Sequence, residues 1–376
     1  MSGSCRLLYV VNNANFFLTH RLSLARAARD SGYEVHVAAP HDAGPRQAME
    51  IERFTFHALP MTRRGMNPVQ ELCTMWKLYC LYRGVRPDIV HHVTIKPVLY
   101  GGIVARLARV GATVNAISGL GYVFITKGLR AALLRAVVKL AYRLALGHRN
   151  SRTIFQNSDD MTLFVGSRLI RHDRAVLVRG SGADLGYYEP SPERPGVPMV
   201  LFAGRLLKDK GLMEYVEAAR RIRERGVDVR IVVAGAIDAG NPSSIAPHEL
   251  AEWEHDGIVE YIGQRQDMPS LMAQAHIVCL PSYREGLPRV LIEAAACGRA
   301  IVATDVPGCR EVVCQGVNGL LVPPRDAASL ADAIQRLVES PSLRRLMGAE
   351  GRKLARGFSE EQVVRETLAL YTALRP

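Results

Sequence analysis

His276-Ile277-Val278-Cys279-Leu280-Pro281-Ser282-Tyr283-Arg284-Glu285-Gly286-Leu287-Pro288-Arg289-Val290-Leu291-Ile292-Glu293-Ala294 reads as a strand, a tight turn and a helix. The first five residues form a strand-length apolar run, and Val290 to Cys297 are good helix formers. Gly286 permits a sharp turn, and Pro288 suits a first helical turn, where its missing N–H would have no intrahelical partner. In an open α/β sheet this junction is an anion site, because free amides and the helix dipole both favour negative charge there. Two carboxylates frame it. Glu285 precedes the helix and Glu293 stands about one and a half turns inside it, a separation of roughly 8 Å along the axis. That gap suits a sugar and a ribose on either side of a diphosphate.

The same alternation extends in both directions. Arg6 to Val11, Glu34 to Ala39, Thr55 to Leu59, Ile89 to Val93, Thr113 to Ile117 and Thr153 to Asn157 read as strands with helices between them. A second series follows in Val200 to Ala203, Arg230 to Ala234, Val259 to Ile262, Ile277 to Leu280, Ala300 to Ala303 and Gly319 to Val322. Between the series, Glu189-Pro190-Ser191-Pro192-Glu193-Arg194-Pro195-Gly196-Val197-Pro198 is the most proline-rich stretch and reads as an interdomain linker. The expectation is an α/β chain of two doubly wound, Rossmann-like parallel-sheet domains. They occupy residues 1–188 and 199–355, joined by the linker 189–198, with a closing helix over 356–376.

Composition narrows the class. The 376 residues are 48% hydrophobic, enough for two cores. The seven cysteines form no CxxC pair, so neither a disulfide framework nor a zinc site is expected. No run approaches the ~18–20 apolar residues of a membrane span, and Leu7 to Val11 is too short for a secretory leader. The expected location is the cytoplasm, on the cytoplasmic face of a membrane. Charge is uneven: residues 1–190 hold 25 Lys/Arg against 12 Asp/Glu, and the remainder holds 23 against 24. No aromatic-interleaved or zinc-finger context accompanies the basic excess, so no nucleic-acid partner is expected. An anionic membrane surface fits better. From Lys127 to Arg152, Leu129, Leu133, Val137, Leu140 and Leu144 recur near helical spacing, with Lys127, Arg130, Arg135, Lys139 and Arg143 interleaved. Such a helix either lies in a membrane interface or packs its leucines on the sheet.

The Glu285-x7-Glu293 arrangement resembles the signature of the family 4 type of retaining nucleotide-sugar glycosyltransferases, which have the two-Rossmann GT-B fold with the domains facing a cleft. Leu201-Phe202-Ala203-Gly204-Arg205-Leu206-Leu207-Lys208-Asp209-Lys210-Gly211 is similar to that family's donor-diphosphate loop. Ala303-Thr304-Asp305-Val306-Pro307-Gly308 and Gly319-Leu320-Leu321-Val322 follow in the family's order. The resemblance implies a UDP-sugar donor held by Gly204, Arg205, Lys210, Gln264, Glu285, Gly286, Leu287, Pro288, Val290 and Glu293. Glu285 would hold the donor sugar's hydroxyls and Glu293 the ribose, while Arg205 and Lys210 stabilise the leaving diphosphate. It further implies front-face transfer with retention and a crossover of the final helix onto the first domain. No acidic metal motif stands in the donor half, so a metal-independent reaction without cofactor is expected.

Acceptor chemistry is expected in the first domain, at loops after strands. Asn15, His20 and Arg21 follow the first strand, Lys96 the fourth, and Ser118 and Gly119 the fifth. His20 is the catalytic candidate among them, and Lys96 the candidate for an anionic ligand. His91 and His92 are equally open to packing roles. Where many family members carry a histidine after the fifth strand, Ser118-Gly119-Leu120-Gly121 stands here, resembling a subgroup that extends sugars on polyprenyl diphosphate in bacterial surface glycan assembly. The expected reaction moves an N-acetylhexosamine from UDP to an undecaprenyl-diphosphate-linked sugar. The alternatives are a UDP-glucose or UDP-galactose donor, a nucleotide-sugar epimerase on the same fold, and a polyanion-binding protein without catalysis.

Overall fold

The structure, a computed structural model, describes residues 4–62, 67–119 and 129–375, and for residues 129–135 the backbone course alone. It comprises two compact units, Met1–Ser181 with Glu361–Pro376, and Gly182–Glu360.

The first unit holds strands β1 (Cys5–Val11), β2 (Tyr33–Ala39), β3 (Thr55–Ala58), β4 (Ile89–Val93), β5 (Ala112–Ile117), β6 (Ser151–Phe155) and β7 (Ala175–Leu177). All pair in parallel, in the order β3-β2-β1-β4-β5-β6-β7. Its helices are α1 (Ala14–His20), α2 (Leu22–Asp30), α3 (Ala43–Ile51), α4 (Pro68–Val85), α5 (Gly102–Leu107), α6 (Leu129–Ala145) and α7 (Ser158–Gly166). The strands read as nearly continuous apolar runs because both faces of the sheet are covered. In β1, Leu7, Tyr9 and Val11 belong to one core and Leu8 and Val10 to the core on the other face.

The second unit contains β8 (Met199–Ala203), β9 (Arg230–Ala234), β10 (Glu260–Tyr261), β11 (Ile277–Leu280), β12 (Ala300–Thr304) and β13 (Gly319–Val322), again all parallel. Their order is β10-β9-β8-β11-β12-β13, so the winding reverses between β8 and β11. Helices α8 (Leu212–Glu224), α9 (Pro247–His255), α10 (Met268–Gln274), α11 (Arg289–Ala296), α12 (Cys309–Val312), α13 (Ala327–Glu339) and α14 (Pro341–Ala355) surround one continuous core.

Helix α15 (Glu360–Leu374) returns to the first unit, where it buries Val363, Thr367, Tyr371 and Leu374 at helical spacing. Tyr371 anchors it: its hydroxyl lies 2.5 Å from His91 Nδ1 and donates to Tyr9 Oη at 3.1 Å. His91 and His92 are both buried in β4. His92 bonds Asn115 Oδ1 at 2.8 Å, its partner across the ladder, and Tyr82 Oη at 2.9 Å. These bonds hold both rings inside the sheet, with His91 Nε2 left unpartnered. Burial depresses both, His91 well below its ordinary value and His92 to about 4, so they are neutral at pH 7.

Differences from the sequence reading are local. The strand β7 is only three half-buried residues, too short to read, and the ladder within Val259 to Ile262 shrinks to two residues. Pro288 is the N-cap of α11 rather than part of its first turn. The proline-rich stretch 189–198 is fastened to the second unit. Arg344 pairs with Glu193 at 3.1 Å, Arg299 Nη2 donates to the Ser191 carbonyl at 2.6 Å, and His276 Nε2 lies 2.8 Å from the Arg194 carbonyl.

Candidate functional site

Each loop at the carboxyl end of β8, β9 and β10 meets the start of α11, so the backbone of a parallel sheet assembles the site before any side chain is considered. Together they line a pocket of about 270 Å³ whose walls include Gly204 and Arg205, Gly235 and Ala236, Gln264 and Arg265, and Val290 and Glu293. The loops after β8 and β9 touch backbone to backbone. A Cβ on Gly235 would fall 1.7 Å from the Gly204 carbonyl oxygen, so only glycine allows this approach.

Two cations stand there with a carboxylate each. Arg205 Nη1 pairs with Asp238 Oδ2 at 3.0 Å. Lys210, which closes the single 3-10 turn Lys208–Lys210, places Nζ 2.5 Å from Glu285 Oε1, and the Glu285 side chain is only 11% exposed. The turn containing Gly308 props this pair from below, because a Cβ on Gly308 would lie 2.6 Å from the Gly286 carbonyl oxygen and 2.8 Å from that of Glu285. At φ +82°, Gly308 is also in a conformation that side chains disfavour.

Glu293 is buried one turn into α11, within 2.8 Å of Arg289 Nε. Its carboxyl is pushed above the usual range chiefly by burial, against the pull of Arg289 and of a hydrogen bond with the Tyr188 hydroxyl. The same burial, with the Glu293 charge beside it, drives the Tyr188 phenol far upward.

Of the donor residues expected from sequence, Gly204, Arg205, Gln264, Val290 and Glu293 line this pocket. Lys210, Glu285 and Gly286 form the braced junction just described, Pro288 caps α11, and Leu287 packs partly into the core. Sequence reasoning missed Asp238, Arg289 and Tyr188. Asp238 lies in the loop after β9, three residues past Gly235, and an acid there was a readable signal. Tyr188 is 105 positions from Glu293 and carried none. Among the described residues, no group of three or more His, Cys, Asp or Glu is arranged to hold a metal ion.

In the first unit the acceptor candidates stand at the carboxyl ends of β1, β4 and β5, around the winding reversal between β1 and β4. Asn13 caps α1 by accepting from the Phe16 amide at 2.8 Å, which fixes the loop after β1. Asn15 is exposed. His20 stacks on Phe16 at 4.2 Å, with Nδ1 2.6 Å from Thr19 Oγ1. Arg21 is turned inward and buried, donating to the His20 carbonyl at 3.0 Å and facing Tyr9 and Tyr371. Lys96 is paired with Glu71 at 2.6 Å. The Ser118 hydroxyl is buried without a hydrogen-bond partner, and Gly119 follows at φ +145°. Residues 120–124 of the loop after β5 lie outside the described residues, as do Lys127 and the side chains of Leu129, Arg130, Leu133 and Arg135. The rest of α6 turns two ways: Tyr142 and Ala145 are buried, as is Leu146 just past its end, while Val137, Leu140 and Leu144 are exposed beside Lys139.

Comparison with known proteins divides at the same place as the structure. Residues 6–158 match the family described as "Glycosyl transferase 4-like" and residues 197–340 the family described as "Glycosyl transferases group 1". The chain is 26% identical over 364 residues to an N,N'-diacetylbacillosaminyl-diphospho-undecaprenol alpha-1,3-N-acetylgalactosaminyltransferase of Campylobacter jejuni, covering 93% of this chain and 94% of that protein. It is 23% identical to a capsular polysaccharide biosynthesis glycosyltransferase of Staphylococcus aureus, with 90% of each covered. Among solved structures, a glycosyltransferase from Rickettsia africae superposes with a TM-score of 0.78 at 17% identity, covering 99% of each chain. The Anabaena protein HepE, solved in complex with UDP, gives 0.77 at 19% identity over 98% of this chain and all of that one. At these identities the structural likeness establishes the fold, which is GT-B.

Proposed function

Because this chain belongs to the glycosyltransferases of group 1 and 4-like type, we propose that it moves a sugar from UDP onto a sugar linked to undecaprenyl diphosphate, with retention of configuration. The observation that carries this reading is the pairing of Arg205 and Lys210 with Asp238 and Glu285 at the mouth of α11. Each cation is neutralised in advance, so an arriving diphosphate exchanges places with the carboxylates. Glu285, released from Lys210, is then available to the donor sugar's hydroxyls.

The reaction follows from what the bond requires. The bond between the anomeric carbon and the diphosphate oxygen breaks with its electron pair leaving on UDP, and Arg205, Lys210 and the first amides of α11 balance that charge. The acceptor hydroxyl attacks from the same face, and its proton passes to the departing phosphate oxygen. Glu293, held by Tyr188 and Arg289, takes the ribose hydroxyls. No step requires a metal ion.

The Campylobacter relative supports an N-acetylhexosamine donor and an undecaprenyl-linked acceptor, and the HepE complex supports UDP. A lipid-linked acceptor also suits the first unit's surface. Val137, Leu140 and Leu144 on α6 are exposed beside Lys139, and α4 exposes Val69, Leu72 and Trp76 at helical spacing. Residues 89–158 contain ten Lys/Arg and no Asp/Glu. Such faces favour peripheral contact with an anionic membrane. No described helix is long and apolar enough to cross one.

The test is a competition panel of UDP-GalNAc, UDP-GlcNAc, UDP-Gal, UDP-Glc and GDP-Man, scored by nucleotide release with undecaprenyl-diphosphate sugars present. Acceptor-dependent turnover of one UDP donor is expected. Release from none of them would overturn the proposal.

A further inference from the structure

We propose that Thr94 and Ser118 form the seat of the acceptor's sugar ring, a subsite that recognises neutral hydroxyls rather than phosphate; it rests on the transferase reading above. Among the described residues, six other than glycine have positive φ, and five of them are arginines beside helix termini or turns. The sixth is Thr94, at φ +77° where β4 ends. A β-branched residue is an outlier in that conformation, and such strain persists only where its surroundings impose it.

The surroundings are visible. The Thr94 amide donates to the Ala116 carbonyl at 3.2 Å, continuing the β4–β5 ladder, and the Thr94 carbonyl accepts from Val98 at 3.1 Å. A π-helical turn, Pro97–Gly101, follows at once. It is wedged in place, since a Cβ on Gly101 would fall 2.3 Å from the His92 ring. Wide turns of this kind are rare and concentrate at functional sites. Two unusual backbone features therefore stand in succession beside the winding reversal between β1 and β4, where open α/β sheets bind ligands.

The side chains give the ligand's chemistry. Thr94 Oγ1 and Ser118 Oγ, at the ends of neighbouring strands, are both buried and both lack a hydrogen-bond partner. Buried hydroxyls are costly to leave unpaired. Unlike the unpaired Thr113 and Thr153 hydroxyls inside the same sheet, these two stand at its carboxyl end, where a partner can arrive from outside. The nearest cation in sequence, Lys96, is already neutralised by Glu71 at 2.6 Å, with both side chains largely buried. Arg21, after β1, is turned inward to the His20 carbonyl, Tyr9 and Tyr371. Thr94 and Ser118 themselves offer hydroxyl groups, which suits a sugar's hydroxyls and amide.

The experiment uses UDP-GalNAc or the donor identified by the panel, with undecaprenyl-diphosphate N-acetylglucosamine as the acceptor. Thr94→Val keeps the shape and the strain but removes the hydroxyl; acceptor KM is expected to rise about tenfold or more, with donor KM unchanged. Ser118→Ala is expected to do the same. Thr94→Gly relieves the strain that Thr94→Ala keeps at φ +77°, so it should melt about 2–4 °C above Thr94→Ala, while both raise acceptor KM. An unchanged acceptor KM in Thr94→Val and Ser118→Ala overturns the subsite, as does a fall in kcat alone. A Thr94→Gly variant that melts no higher than Thr94→Ala overturns the strain argument and needs no substrate. Absence of wild-type turnover on every acceptor and donor would instead count against the transferase reading.

Discussion

Replacing Lys210 by alanine should leave a folded protein with turnover lowered about 10²–10³-fold. Lys210 Nζ lies 2.5 Å from Glu285, and their side chains are 22% and 11% exposed, so a diphosphate bound there would meet the lysine in a partly dried environment. Opposite unit charges about 4 Å apart are worth ~4 kcal/mol at an effective dielectric constant of ~20. Residual solvent reduces this, and each ~1.4 kcal/mol of transition-state stabilisation is about tenfold in rate. Two to three decades is also the scale on which removal of one preorganised charge-stabilising donor acts. The assay is steady-state UDP release with saturating acceptor, with thermal melting as a control on folding. Because the charge matters most as the bond breaks, kcat should fall more than donor KM rises, and Lys210→Arg should recover part of the loss. A Lys210→Ala enzyme within about threefold of wild type would refute the placement of the leaving diphosphate.

Four further outcomes are expected. Burial raises Glu293 above its ordinary 4.5, so the stability tied to its proton is complete below that value and declines as pH rises through the raised one. Glu293→Gln should therefore melt higher than wild type at pH 7, with the gap closing towards pH 4.5, while UDP binding measured by calorimetry weakens; a gap independent of pH would refute this. His92, depressed to about 4 from 6.5, contributes stability above pH 6.5 that is lost as pH falls towards 4. At pH 5 the loss is about 2 kcal/mol, read as a drop in the urea midpoint that His92→Gln should flatten. Gly308→Ala, which forces a Cβ to 2.6 Å from the Gly286 carbonyl oxygen, should cost about 1–3 kcal/mol in unfolding and weaken donor binding. Glutamate at both Leu140 and Leu144 should lower binding to phosphatidylglycerol vesicles about tenfold or more in a flotation assay, and unchanged binding would remove α6 from the contact.

The sheets were legible because a parallel strand covered on both faces is nearly apolar throughout, and few other elements look like Ile277–Leu280 or Met199–Ala203. The pocket at the start of α11 was legible for a related reason, since glycines and a proline at a strand–helix junction declare the backbone's course. Pairings between distant side chains were not. Nothing local announces that Tyr188 will reach Glu293, that Asp238 will hold Arg205, or that Glu71 will claim the lysine expected to await an anion. Thr94 was hidden more completely, because threonine is an ordinary residue for the end of a strand and its strain exists only once the ladder and the π-helical turn are both in place.

The return of α15 to the first unit has a consequence for the order of events at the ribosome. Tyr9 and His91 emerge early, yet the hydroxyl that joins them belongs to Tyr371, which is made after the whole of residues 182–360. The usual sequence, in which the N-terminal domain finishes folding first, is therefore interrupted. The second unit can complete itself while the first still waits with an uncovered strip of Tyr33, Val35 and neighbouring side chains. For that interval the nascent chain carries exposed apolar surface, and loss of α15 would leave the first unit in that state.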